Sequence, residues 1–235
     1  MSFNANYFLE SLVSAICYIP VTLKVALISY VIGLTAGLLI SLICEYRIPV
    51  ISRVLSAFVT VYMGLPLVVA LLIYQLIFLT NYQSIISFFG IDSSTGSVDI
   101  TFIGCFVLSL SVTCSICETF RGAFKSVSAV QYEAGCSIGL SKSQIFRRIM
   151  IPQMIPVAVP GLVNRLVDTI KGTNLVAAIS VVEVMAGALI PCARTYSYLE
   201  GYLAAAAVYW ALVIVAEQIG KLAETYTGKF RRNVV

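Results

Sequence analysis

Apolar residues gather along this chain in long runs broken by short polar segments. Five runs, about 21–43, 55–79, 100–118, 154–171 and 202–220, carry about the 20 residues that a helix needs to cross a bilayer core. Each is predicted as a membrane-spanning helix, with 1–235 as a single transmembrane domain. Ahead of them, Phe3, Tyr7, Phe8, Leu12, Val13, Ile16 and Ile19 recur at near-helical spacing. That pattern predicts a short interfacial or packing helix, which Pro20 separates from the first span. The second run includes Gly64, Leu65 and Pro66, and the fourth carries Pro156 and Pro160 at its start, where proline is best tolerated. Residues 80–99 read as a Ser, Gly and Asp-bearing loop with Asp92 and Asp99 and no Lys or Arg.

The run 175–190 decides the topology. It is short for a crossing and contains Glu183, so it is read as a packed segment between spans. Charge gives a separate test. With five spans and the N-terminus outside, the inner segments hold Arg47, Arg53, Arg121, Lys125, Lys142, Arg147, Arg148, Lys221, Lys229, Arg231 and Arg232, and the outer segments hold only Arg194. A sixth span would place the basic tail outside, against the positive-inside tendency. The expectation is N-terminus outside and C-terminus cytoplasmic. The first twenty residues carry no Lys or Arg and so lack the basic start of a secretory signal peptide, and the first span is expected to be retained.

Composition agrees with this reading: 60% hydrophobic residues, 11% charged and a mean hydropathy of +0.97 belong to a polytopic membrane protein. The charge of +4 sorts by membrane side, so no nucleic-acid partner is expected; lipid is. Cys114 and Cys117 form a C-x-x-C, but with no histidine and no second pair no metal site is predicted, and the seven cysteines read as packing residues. There is no phosphate-binding G-x-x-x-x-G-K-[ST] loop, no H-E-x-x-H and no G-x-S-x-G, so no catalytic residue and no cofactor are assigned. Absence of a repeat counts against an inverted-repeat carrier.

The polar, basic stretch EAGCSIGLSKSQIFRRIMIP, from Glu133 to Pro152, stands apart from this background. It reads as a short helix, about Ala129 to Ile138, a break at glycine, a second basic helix, and a proline opening the next span. Its spacing resembles the cytoplasmic loop of ATP-binding cassette (ABC) importer membrane subunits: Glu-Ala-Ala, three residues, Gly, nine residues, Ile, one residue, Leu-Pro. Glu133, Ala134, Gly139, Ile149 and Pro152 are in register, with Gly135 in place of the second Ala and Ile151 in place of the Leu. A solvated basic loop would account for Lys142, Arg147 and Arg148 but not for that spacing. Three more segments resemble the polar amino-acid permeases of this group: GLPLVVALLIYQ (64–75), Glu118–Thr–Phe120–Arg121–Gly122, and KGTNL (171–175). The likeness covers about residues 20–225.

This resemblance implies an all-α, type I ABC importer permease fold with a cytoplasmic coupling helix in the loop 129–152. Glu133, Ala134, Gly135 and Gly139 would contact a separate ATPase subunit. It further implies a second permease subunit, identical or homologous, an extracytoplasmic substrate-binding protein, and a prokaryotic cell membrane. A polar amino acid is the expected cargo, with cystine one candidate from residues 56–78. The alternatives are an ABC permease for another small solute, a secondary carrier without an ATPase, or a membrane enzyme.

Charges inside a membrane cost on the order of 2.5–3.5 kcal/mol each, so they need partners or a wet path. Arg165, Asp168 and Lys171 follow at intervals of three and share one face of a helix, Asn164 borders them, and Glu118 and Glu183 are candidates to lie nearby. Such a face suits an amino acid, whose carboxylate seeks a cation and whose ammonium seeks an acid. An ion network that only holds helices together fits the same residues. Tyr196, Tyr198, Tyr202, Tyr209 and Trp210 read as interface and packing aromatics.

Overall fold

The computed structural model describes residues 3–89 and 99–232, without the side chains of 85–89 and 229–232; Asp92 and the 90–98 part of the 80–99 loop lie outside the described residues. Among these residues all regular structure is helical: α1 (Ala5–Cys17), α2 (Ile19–Glu45), α3 (Ile51–Met63), α4 (Leu67–Phe89), α5 (Thr101–Lys125), α6 (Ala129–Ser137), α7 (Lys142–Ile145), α8 (Ile151–Gly172), α9 (Val184–Leu189), α10 (Cys192–Thr195) and α11 (Tyr198–Arg232). A π-helical turn, Phe146–Met150, joins α7 to α8, and a 3-10 stretch, Thr173–Ile179, extends α8. Five helical segments are long and apolar enough to cross a membrane: Ile19–Glu45, Leu67–Ser84, Thr101–Lys125, Lys142–Ile179 and Tyr198–Gly228.

The second predicted span, 55–79, needs correction: the structure splits it into α3 and α4 at Gly64–Leu65–Pro66. Proline has no N–H to donate and its ring crowds the carbonyl four residues back, so a helix entering at Val61 and Tyr62 ends there. The same proline then opens α4, its carbonyl accepting the Ala70 N–H at 3.0 Å. The apolar length that crosses therefore lies further along the chain, and α4 continues through 80–89, where a loop was expected. Just ahead of α5, the Asp99 carboxylate accepts from Thr101, whose N–H lies 2.9 Å away; these bonds hold the carboxyl below its usual range.

Helix α5 is the centre of the bundle and α2 is its closest companion. Ser29, Gly33, Gly37 and Ser41, one turn apart along α2, are all buried. A Cβ on Gly33 would lie 2.5 Å from Val112 Cγ1, and one on Gly37 would lie 2.8 Å from the Thr113 carbonyl oxygen. Small residues matter here because lipid is as apolar as leucine, so helices associate through close dispersion contact and hydrogen bonds rather than through exclusion of water. Ser29 adds one such bond, its hydroxyl donating to the Cys105 carbonyl at 3.1 Å. Toward one end α5 packs with Val25, Leu71, Val176 and Ile179, and toward the other with Phe146, Met154 and Ala158.

The short helix α1 lies on α9 and α11, where Ala15 meets Val184, Ala188 and Val208. Ser14 donates to the Gly187 carbonyl at 2.7 Å and Arg194 pairs with Glu10 at 2.9 Å. The run 175–190 forms no spanning helix. After the 3-10 stretch, Ser180 turns the chain at φ 65, and α9 is only 6 residues long.

Candidate functional site

The loop 129–152 folds as two helices whose ends are set locally. The Ser128 hydroxyl accepts the Val130 N–H at 3.3 Å and opens α6. Gly139, at φ +79, closes it, with the Leu140 N–H reaching back to the Gly135 carbonyl at 3.0 Å. A reciprocal cap follows: the Ser141 N–H donates to the Gln144 side chain at 2.8 Å, and the Gln144 N–H to the Ser141 hydroxyl at 3.4 Å.

Of the four residues expected to contact an ATPase, Glu133 and Ala134 are exposed, whereas Gly135 is buried. A Cβ on Gly135 would stand 2.8 Å from Ile145 Cγ1, so this glycine is where α6 is pressed against the second helix of its own loop. That contact explains the departure from the family's second alanine. Gly139 has open space around it, and its need is conformational: a left-handed φ that other residues adopt at a cost. The outward face of α6 is instead apolar. Val130, Ala134 and Ile138 recur every four residues, and Val130 and Ile138 are 67% and 76% exposed. The sequence reading missed Val130 and Ile138, although their spacing around Ala134 was the available signal.

The intramembrane charges separate into three places. Arg165 and Asp168 form an ion pair at 3.1 Å on α8 and line a small cleft with Ser111 and Ser115 of α5, Thr169 and Leu67. The cleft holds about 70 Å³, room for a few water molecules. The Arg165 Nε is buried there with no hydrogen-bond partner, so this guanidinium keeps one donor unused. Ser111 and Ser115, one turn apart on α5, were not singled out in the sequence. Asn164 and Lys171 are exposed neighbours outside the cleft lining, and Glu118 pairs with Arg121 on its own helix.

Glu183 stands apart from that face. It is 0% exposed and caps α9, its Oε1 accepting the Met185 and Ala186 N–H groups at 2.9 and 3.1 Å. Its Oε2 accepts from Tyr209 of α11 and, at 3.4 Å, from Thr22 of α2. Thr22 in turn accepts the Val184 N–H at 3.1 Å. A carboxylate cut off from water is tolerated when donors surround it, and here they come from three elements. Glu183 and Tyr209 thus form a hydrogen-bonded network between helices, whereas Arg165 and Asp168 pair beside an open cleft.

Residues 30–225 match the family model described as binding-protein-dependent transport system inner membrane component. The probable amino-acid ABC transporter permease protein PatM of Vibrio harveyi is 31% identical over 232 residues, 97% of this chain and 98% of its own length. The L-cystine transport system permease protein TcyL of Bacillus subtilis is 29% identical over 234 residues, 100% of this chain and 95% of its own. A crystal structure of an amino acid ABC transporter with histidines superposes with a TM-score of 0.81 at 26% identity, covering 96% of this chain and 100% of that one.

Proposed function

The chain belongs to the family of binding-protein-dependent transport system inner membrane components, and on that premise we propose that it forms the amino-acid pathway of an ABC importer and is driven through α6. It is a multi-pass membrane permease subunit, and the chemistry of ATP hydrolysis belongs to a partner ATPase subunit. Two permease subunits, identical or homologous, enclose the pathway, and a binding protein delivers cargo to the outer face. The N-terminus lies outside and the C-terminus in the cytoplasm. The link after α2 lies beside α6, as Arg47 and Tyr132 border one cleft, so the basic segments 46–53 and 121–148 share an end.

The observation that carries the coupling role is the stripe Val130, Ala134 and Ile138. It is apolar, exposed, and presented by a helix that Gly135 holds against Ile145. An exposed apolar stripe on an otherwise polar loop marks a protein contact. The ATPase seats on it, so closure of the ATPases on ATP swings the loop and opens the pathway outward, and hydrolysis resets it. Cargo passes the cleft of α5 and α8 as that space widens, its carboxylate on Arg165 and its ammonium on Asp168. Relatives named for amino acids, one of them for L-cystine, support a polar amino acid, with cystine first to assay.

The test is purification of the tagged chain with its partners in mild detergent. Val130→Asp with Ile138→Asp is expected to shed a P-loop ATPase that the wild-type chain retains, while the thermal unfolding temperature stays unchanged. Uptake that proceeds with no ATPase attached would overturn the proposal.

A further inference from the structure

A second, larger cleft lies behind α6, on the flank turned away from the apolar stripe. Its volume is about 480 Å³. It sits where α2 and α5 end and the π-helical turn leads into α8, so it opens at the level where a bilayer's headgroups begin. Phe124, Phe146 and Met150 form its floor, with the Phe146 ring 4.9 Å from Tyr46 and 5.2 Å from Phe124. Five charges rim it: Arg47, Lys125 and Lys142, with Glu45 and Glu133. Among the described residues none of these five side chains enters an ion pair or a hydrogen bond.

The five are exposed and converge on one concavity, so their charges are available to a group that enters it. Three cations suit a phosphodiester, and the two carboxylates disfavour a purely anionic group and suit an ammonium. From Tyr46, which lines the cleft, an exposed apolar surface continues along the chain. On the link from α2 to α3, Tyr46, Ile48 and Val50 are 48%, 40% and 67% exposed, and hydrocarbon can lie along them. We propose that this cleft holds the headgroup of a zwitterionic aminophospholipid, with its phosphodiester on Arg47, Lys125 and Lys142 and its ammonium on Glu45 and Glu133. Tyr132 offers the ammonium an aromatic face. Because Ala129, Tyr132 and Glu133 face the cleft while Val130, Ala134 and Ile138 face away, lipid and a docked protein occupy opposite sides of α6 at once. The lipid braces the helix from behind.

The test is native mass spectrometry of the full chain, with whatever partners it retains, released from nanodiscs of equal phosphatidylethanolamine, phosphatidylcholine and phosphatidylglycerol. Wild type is expected to retain phosphatidylethanolamine preferentially, at one per chain. Lys125→Gln with Lys142→Gln is expected to weaken that binding at least about a hundredfold, the order of two lost charge-assisted hydrogen bonds. Glu45→Gln is expected to shift the preference toward phosphatidylglycerol. Lys221→Gln, exposed on α11, serves as the control and changes nothing. Equal retention of the three lipids by wild type, or undiminished retention by the double variant at an unchanged unfolding temperature, overturns the proposal. Binding of soluble phosphoethanolamine to the delipidated chain as tightly as the lipid overturns the lipid source.

Discussion

Glu183→Ala tests how the short segment between α8 and α11 is held. The carboxylate is fully buried, and four donors from three elements converge on it. Truncation leaves the Met185 and Ala186 N–H groups without an acceptor, at about 1–3 kcal/mol each, and opens a void where the side chain was. Relief of the buried charge works the other way, so the net loss is about 3 kcal/mol. For a chain of this length that corresponds to a fall of roughly 6–12 °C in unfolding temperature. Glu183→Gln keeps an oxygen for the two backbone donors and turns its NH2 toward Tyr209 and Thr22, whose hydroxyls can accept; the expected cost is about 1 kcal/mol. Tyr209→Phe removes one donor and falls between the two, at about 2 kcal/mol. The assay is thermal unfolding of the purified chain in detergent, followed by dye labelling of the buried thiols Cys114, Cys117 and Cys192, with exposed Glu217→Ala as the reference. An unfolding temperature for Glu183→Ala within about 2 °C of wild type, or equal losses for Ala and Gln, would refute the reasoning.

Gly37→Ala places a Cβ 2.8 Å from a backbone oxygen of α5, which cannot rotate away. Overpacking of about 1–3 kcal/mol exceeds the gain in helix propensity of up to about 1 kcal/mol, and the same thiol-labelling assay is expected to show a net fall in unfolding temperature. Asp168→Asn removes the acid from the cleft, and its exposed pair with Arg165 carries little stability. Amino-acid uptake in reconstituted vesicles is expected to fall at least tenfold with normal assembly; loss of folded protein instead would favour a purely structural pair.

The five long apolar helices and the helix–break–helix of the loop 129–152 were legible because each leaves a mark that depends on one element alone. About 20 apolar residues announce a span, and a helix that must stop and restart needs Ser128, Gly139 and Ser141 at its ends. The split of 55–79 was also written in Pro66, but long hydrophobicity masked it, since a membrane run reads the same on either side of a break. The charges were legible as a set and not as partners. Arg165 and Asp168 share a helix and did pair, whereas Glu183 found Thr22 and Tyr209 across 161 and 26 residues of sequence, a distance over which no spacing rule operates. The role of Gly135 needed its neighbour Ile145, and that of α2 needed the backbone of α5.

From Lys142 to Ile179 the chain is helical without interruption, through α7, the π turn, α8 and the 3-10 stretch. At about 1.5 Å per residue, the distance from Lys142 to Asp168 is about 40 Å. A single helical shaft therefore joins the loop beside α6 to the charged cleft, with Pro156 and Pro160 inside α8 along it. The wide turn at Phe146–Met150 breaks the α-helical register at one place along that shaft. At that joint Phe146 is wedged between Tyr46 and Phe124, so the break in register is tied to the ends of α2 and α5.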